Sequence, residues 1–277
     1  MQISNSWIAI CVFEFQQSIN SVVIAPNYSG INPVTGSASY MTSTPRDIAV
    51  AVEDARSMGM KIVLKPHVDV YTGEWRAAIV PDEHGQWFTS YSTMMLKYAA
   101  LAESLKMESL CIGTELVTAT QPRYSARWRM LIDSVKKVFH GSLMYASNWN
   151  GAPALGFMHP EYEQIAFWDL LNYVGVDFYA PAAVEGYSQL PSTSEAYALV
   201  SPYLSSVTRF ANSLGKKFVI TEVGIQSVSG ALSRPWDFEL GRKQSSVTDT
   251  ATQRFYYSVI SNALDGNDAC AGTFWWN

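Results

Sequence analysis

The chain has 277 residues, 48% of them hydrophobic and 13% aromatic, so it is too apolar for a disordered polymer and long enough to bury a sizeable core. Charged residues make up 16%, with 19 Lys and Arg against 24 Asp and Glu, a net charge of −5 and no basic block. Phosphate binding needs clustered positive charge, which excludes nucleic acid as a partner; no run approaches the roughly 18 to 20 apolar residues of a membrane span, which argues against a membrane partner.

In chain order, short β-branched runs alternate with longer helical patterns. Strands are expected over 7–13, 61–65, 109–113, 142–146, 173–177, 217–221 and 269–274, each a continuous apolar segment, as strands buried on both faces read. Helices are expected over 46–58, 87–105, 123–139, 162–170, 194–214 and 248–264. The first has Thr44 as N-cap, Pro45 at its first position and Gly59 as its stop. Such alternation implies a parallel sheet with right-handed crossovers. An open nucleotide-binding sheet would carry a Gly-rich turn after its first strand, and neither GxGxxG nor GxxxxGK[ST] occurs. The expected fold is therefore α/β, a (β/α)8 TIM barrel forming a single catalytic domain over 1–277. The Gly-, Pro- and Ser-rich stretches at 27–43, 151–160, 180–191 and 226–246 read as long βα loops on one face.

Cys11, Cys111 and Cys270 lie in separate apolar runs without CxxC or Cys-His spacing, and read as small buried residues rather than ligands or disulfide partners. His84, His140 and His159 have no metal-ligand spacing and read as surface residues.

The chemistry of such a barrel gathers at the C-terminal ends of its strands. There the sequence places His67 and Asp69, Glu115, Asn148 and Trp149, Asp177 and Tyr179, Glu222, and Trp275 with Trp276. Two glutamates share a context, Cys-Ile-Gly-Thr-Glu115-Leu and Val-Ile-Thr-Glu222-Val-Gly. A carboxylate directly after apolar strand residues costs desolvation energy unless it is hydrogen-bonded or paired, so stability alone does not explain it. Retaining glycoside hydrolysis uses such a pair, one as nucleophile and one as acid then base, at a separation of about 5 Å. Trp75, Trp87, Trp149, Trp236, Trp275 and Trp276 fall in or beside the loops, where aromatic faces stack on pyranose rings. For each tryptophan taken singly, a core or loop anchor is the competing reading. Likewise Lys65 and Asp69 could pair with each other, Arg76 with Glu74 or Asp82, and Asp177 could brace a neighbouring loop.

Leu-Lys65-Pro-His67-Val-Asp69 followed by Gly73-Glu74-Trp75-Arg76, then Ile-Gly113-Thr-Glu115-Leu, Tyr-Val-Gly175-Val-Asp177-Phe-Tyr179, Ile-Thr-Glu222-Val-Gly224 and the closing Gly272-Thr-Phe-Trp275-Trp276 occur in this order. The ordered set resembles glycoside hydrolase family 113, (β/α)8 enzymes of clan A that include endo-β-1,4-mannanases, and the resemblance covers nearly the whole chain. It implies Glu115 as acid/base, Glu222 as nucleophile, Tyr179 as a hydrogen-bond donor to the nucleophile, and no metal or organic cofactor. Many clan A members carry Asn before the acid/base, where it holds the sugar 2-hydroxyl; here Thr114 stands there, so Asn148, Lys65 and His67 become candidates for that contact. Against a full barrel, the first βα unit and the last helix are expected to be absent from this sequence, so Met1 is expected to be an internal position of a longer chain and the lack of a secretory signal is uninformative. An opened barrel also exposes strand edges, so poor solubility or oligomerisation is expected.

The expected activity is retaining hydrolysis of β-1,4-mannosidic linkages in a neutral polysaccharide or oligosaccharide. Substrate contacts fall to Lys65, His67, Asp69, Trp75, Asn148, Trp149, Asp177, Trp236, Trp275 and Trp276. The alternatives are another clan A specificity, β-glucanase or exo-β-mannosidase, and a non-catalytic carbohydrate-binding barrel or inactive fragment.

Overall fold

The computed structural model describes residues 6–242 and 247–276; Met1, Asn277 and the end of the 226–246 loop lie outside the described residues. The chain forms two compact units, Met1–Tyr173 and Val174–Asn277.

In the first unit, β1 (Trp7–Gln16), β2 (Lys61–Val70), β3 (Ser109–Thr114) and β4 (Ser142–Asn148) are parallel neighbours in that order. β1 and β2 pair without interruption from Trp7 opposite Lys61 to Gln16 opposite Val70. Both strands run several residues beyond their expected ends, so His67 and Asp69 belong to β2 itself. The crossovers are α1 (Pro45–Ser57), α2 (His84–Ser104) and α3 (Ser125–Lys136). Thr44 caps α1 as expected: its hydroxyl accepts the Asp47 N–H at 3.2 Å and Asp47 returns a bond to the Thr44 N–H at 2.8 Å, so two of the orphan amides at the helix start are satisfied.

The helix expected over 162–170 is a single turn, α4 (Glu161–Gln164), followed by a 3-10 turn at Trp168–Leu170. Ile165, Phe167 and Trp168 are all buried, and residues 165 and 167 would project about 200° apart on one helix. Breaking the helix lets both reach the core.

That core is largely aromatic. Trp128 on α3 stacks on Phe167 at 5.0 Å and meets Tyr145 edge-on at 5.6 Å, while Trp87 and Tyr91 on α2 stack at 4.9 Å. Each such pair adds about 0.5–1.5 kcal/mol beyond its buried area. Trp87 is fully buried and donates its indole N–H to Gln16 Oε1, so it is a helix–strand anchor rather than a loop residue.

In the second unit, β5 (Tyr173–Asp177), β6 (Phe218–Val223) and β7 (Cys270–Trp275) are parallel, with α5 (Thr193–Ser213) and α6 (Thr250–Leu264) as crossovers. The seven strands fall at the seven expected positions, in the strand–helix alternation of a (β/α)8 barrel. Among the described residues no helix is long and apolar enough to cross a membrane.

Candidate active site

The end of β3 is irregular. Cys111 lies opposite Met144 but Thr114 lies opposite Ala146, so β3 carries one extra residue before Glu115. Such bulges re-aim a side chain at the end of a strand. Glu115 then adopts φ +49°, a left-handed conformation uncommon for a residue with a side chain, and its N–H bonds Ala146 O at 2.8 Å. Gly113 makes the turn possible: a Cβ there would lie 2.6 Å from the Tyr145 ring and 2.9 Å from Tyr91 Oη.

The Glu115 carboxylate is held from two sides. Asn148 Nδ2 donates to Oε1 at 2.9 Å, and the Trp75 indole N–H donates to Oε2 at 2.9 Å. Asn148 Oδ1 in turn accepts the Asn150 N–H at 2.9 Å, which fixes which end of the amide faces Glu115. Arg76 Nη1 stands 3.7 Å from Oε2 and pairs with Asp69 through Nη2 at 2.5 Å and Nε at 3.1 Å. Arg76 therefore serves Asp69 and Glu115, where Glu74 or Asp82 had been expected; Glu74 instead accepts the Thr72 hydroxyl. Asp69, one of the expected substrate contacts, spends an oxygen on that guanidinium.

Lys65 and His67 alternate with Asp69 along β2 and are almost fully buried. Burial, then the charges of Arg76 and Lys65, hold the His67 imidazole well below its usual range, so it is neutral. Phe13 lies against its ring at 4.6 Å. Thr114 is buried and its hydroxyl has no hydrogen-bond partner among the described residues. Trp149 is also buried, whereas Trp75 is 41% exposed.

In the second unit β6 is irregular next to Glu222: Val176 faces Ile220 but Asp177 faces Glu222, and toward β7 the register shifts again between Ile220 and Val223. Tyr179 Oη donates to Glu222 Oε2 at 2.7 Å, and the Phe178 N–H bonds the Glu222 carbonyl at 2.7 Å. Asp177 is fully buried and accepts the Thr221 hydroxyl of β6 at 2.7 Å. Gly224 admits the chain of β7: a Cβ there would meet Trp276 O at 2.0 Å. Trp275 packs edge-on against Tyr257 at 4.4 Å, and Trp236 and Trp276 are exposed by 49% and 38%.

Of the expected residues, the structure thus brings Trp75, Asn148 and, through Arg76, Asp69 onto Glu115, and Tyr179 onto Glu222. Two further residues stand around Glu115. Arg76 takes neither of the pairings the sequence offers for it, with Glu74 or Asp82, and Glu161, described below, carries no signal in the sequence: an acid just after Pro160 reads as an ordinary exposed residue of a first helical turn.

The sequence model of Glycoside Hydrolase Family 113 matches residues 2–277, and the chain belongs to that family: it is a glycoside hydrolase, an enzyme with a carbohydrate substrate. No curated protein sequence matches. Among solved structures, the chain is similar to the GH113 β-mannanase AaManA from Alicyclobacillus acidocaldarius in complex with ManMIm, with 23% identity, a TM-score of 0.79, and coverage of 98% of this chain and 76% of that one. A complex of a GH113 β-1,4-mannanase aligns with 22% identity and a TM-score of 0.77 over 98% of this chain and 77% of that one. A fungal β-1,4-galactanase structure shares 13% identity at a TM-score of 0.55, covering 98% and 78%.

Proposed function

We propose that this family 113 enzyme cleaves β-1,4-mannosidic linkages, in mannan, glucomannan or manno-oligosaccharides, with retention of configuration. The reading rests on one arrangement: a glutamate beside a register irregularity at the end of β3 and another at the end of β6, the second accepting a tyrosine hydroxyl. The family's solved β-mannanases suggest the linkage.

In this scheme a Glu222 oxygen attacks the anomeric carbon while Glu115 gives its proton to the leaving glycosidic oxygen, so the C1–O bond breaks as the glycosyl ester forms. Tyr179 donates to Glu222 Oε2 and so orients the carboxyl group that attacks and later departs. Glu115, now ionised, takes a proton from water, whose oxygen attacks C1 and releases Glu222. Asn148 holds Glu115 Oε1 in place through both steps, and Trp75, bonded to Oε2 and partly exposed, is placed to present its ring face to a sugar. Substrate contacts by Lys65, His67, Trp149, Trp236, Trp275 and Trp276 belong to the same proposal.

The test is hydrolysis of mannohexaose beside cellohexaose, with the first-formed anomer followed by proton NMR. Faster cleavage of mannohexaose with the β-anomer appearing first is the expected result. Preference for cellohexaose would overturn the linkage, and the α-anomer appearing first would overturn the mechanism.

A further inference from the structure

Glu161, the first residue of α4, is 1% exposed and takes no part in the chemistry above. Its carboxyl accepts three hydrogen bonds: Oε1 from Tyr145 Oη at 2.6 Å and Thr120 Oγ1 at 2.9 Å, and Oε2 from the Asn148 N–H at 2.7 Å. Tyr145 Oη also accepts the Leu116 N–H at 2.7 Å. The two backbone amides tied to this carboxyl, one directly and one through Tyr145, are therefore those of Asn148, whose side chain donates to Glu115, and of Leu116, the next residue after Glu115. Between them sits Glu115 at φ +49°, a conformation that costs about 1–3 kcal/mol and persists only where its surroundings over-determine it.

We propose that Glu161 is a positioning residue for Glu115: through the Asn148 backbone and Tyr145 it fixes the strained turn that aims the Glu115 carboxyl, and so governs proton transfer to the leaving oxygen. This rests on the reading of Glu115 as the acid/base. A buried carboxyl is a costly way to hold two amides if packing were the only purpose. Burial pushes Glu161 up to about 8 against the pull of its hydrogen bonds from Tyr145, Asn148 and Thr120, and the charge of Glu115 adds to the rise, so the two carboxyls also sense each other. Arg76 lies beside Glu115, Tyr91 and Tyr145 are buried, and Glu163 and His159 face each other across the exposed side of α4.

General acid assistance matters for a sugar leaving group and hardly at all for a dinitrophenolate, which departs without a proton. The experiment measures kcat/KM of the wild type, Glu161→Gln, Tyr145→Phe and the exposed control Glu163→Gln on mannohexaose and on dinitrophenyl β-mannobioside. Glu161→Gln and Tyr145→Phe are each expected to lose about tenfold or more on mannohexaose, carried by kcat, short of the about 100- to 10,000-fold that general acid–base catalysis supplies. On the dinitrophenyl substrate both should stay within about threefold of the wild type, as Glu163→Gln should on both. Equal losses on the two substrates, or no loss on mannohexaose, would overturn the proposal. If Glu161→Gln does not fold, Tyr145→Phe, which keeps the ring and removes only the bridging hydroxyl, decides the matter alone. A wild type that hydrolyses neither substrate would instead overturn the functional reading, and the positioning role with it.

Discussion

Glu115 and Glu222 begin from the same sequence device, a glutamate after four largely apolar strand residues, yet the two neighbourhoods are built differently. Around Glu115 the backbone turns left-handed and the carboxylate accepts an indole and an amide N–H, with a guanidinium nearby; a second carboxyl lies behind the amide. Glu222 stays within β6, beside a register irregularity and without a left-handed turn, and accepts a tyrosine hydroxyl. The difference matches the two proposed roles. An acid/base must present one oxygen at a fixed angle in two successive proton transfers, which demands a carboxyl clamped in orientation. A nucleophile must move toward carbon as its bond forms, and a strand-borne side chain with a donor on one oxygen suits that.

Substitution of the glutamates themselves is the strongest way to break this contrast. Glu222→Ala should cut kcat at least about 1,000-fold on every substrate, because no leaving group replaces a missing nucleophile, and added azide should yield the α-glycosyl azide. Glu115→Ala should lose about 100- to 10,000-fold on mannohexaose and far less on dinitrophenyl β-mannobioside, with azide giving the β-product. If the two variants exchanged these signatures, the roles would have to be exchanged as well. Tyr179→Phe comes next. A hydrogen bond to a charged acceptor is worth about 1.5–3 kcal/mol, so the expected loss is about 10- to 100-fold in kcat/KM, alike for both leaving groups; an unchanged rate would remove Tyr179 from the mechanism.

Much of this was legible in the sequence, for reasons that differ by residue. The seven strands were readable because parallel strands covered on both faces are forced into continuous β-branched runs, and Thr44-Pro45 and Gly59 mark α1 without reference to anything distant. Glu115 and Glu222 stood out because a carboxylate in that setting is expensive. The contact of Arg76 with Glu115 and the place of Glu161 did not, since their partners lie on other elements and only the folded chain brings them together. Glu161 and Tyr145 are 16 residues apart, and Glu161 and Thr120 are 41 apart, with nothing local to mark either pairing. Trp87 and the 162–170 segment were misread for the opposite reason: their local pattern was clear, but burial of Trp87 against Gln16 and of both Ile165 and Phe167 overrode it.

A smaller effect should follow from Gly113→Ala. The new Cβ would press on the Tyr145 and Tyr91 side chains, both fixed in the aromatic core, and overpacking of this kind costs about 1–3 kcal/mol. A lower Tm in thermal unfolding is expected, together with a fall in kcat on mannohexaose, since the displaced Tyr145 carries the Leu116 contact. A Tm equal to that of the wild type would mean that the bulge before Glu115 tolerates a side chain and that the turn is less constrained than its geometry implies.

Trp75 separates the two things the Glu115 side asks of its surroundings, orientation of the carboxyl and contact with sugar. Its indole N–H reaches Glu115 Oε2 while 41% of the residue remains exposed, so Trp75→Phe removes the hydrogen bond and keeps an aromatic face, whereas Trp75→Ala removes both. With Asn148 still on Oε1 and Arg76 close to Oε2, the loss of one donor should cost Trp75→Phe only severalfold, and through kcat. Trp75→Ala should add a rise in KM on mannohexaose, because the ring no longer covers a pyranose face. Steady-state kinetics of the pair decides between these contributions: a KM increase already present in Trp75→Phe would place the sugar contact on the indole N–H edge, and two indistinguishable variants would leave Trp75 with orientation of Glu115 as its sole part in catalysis.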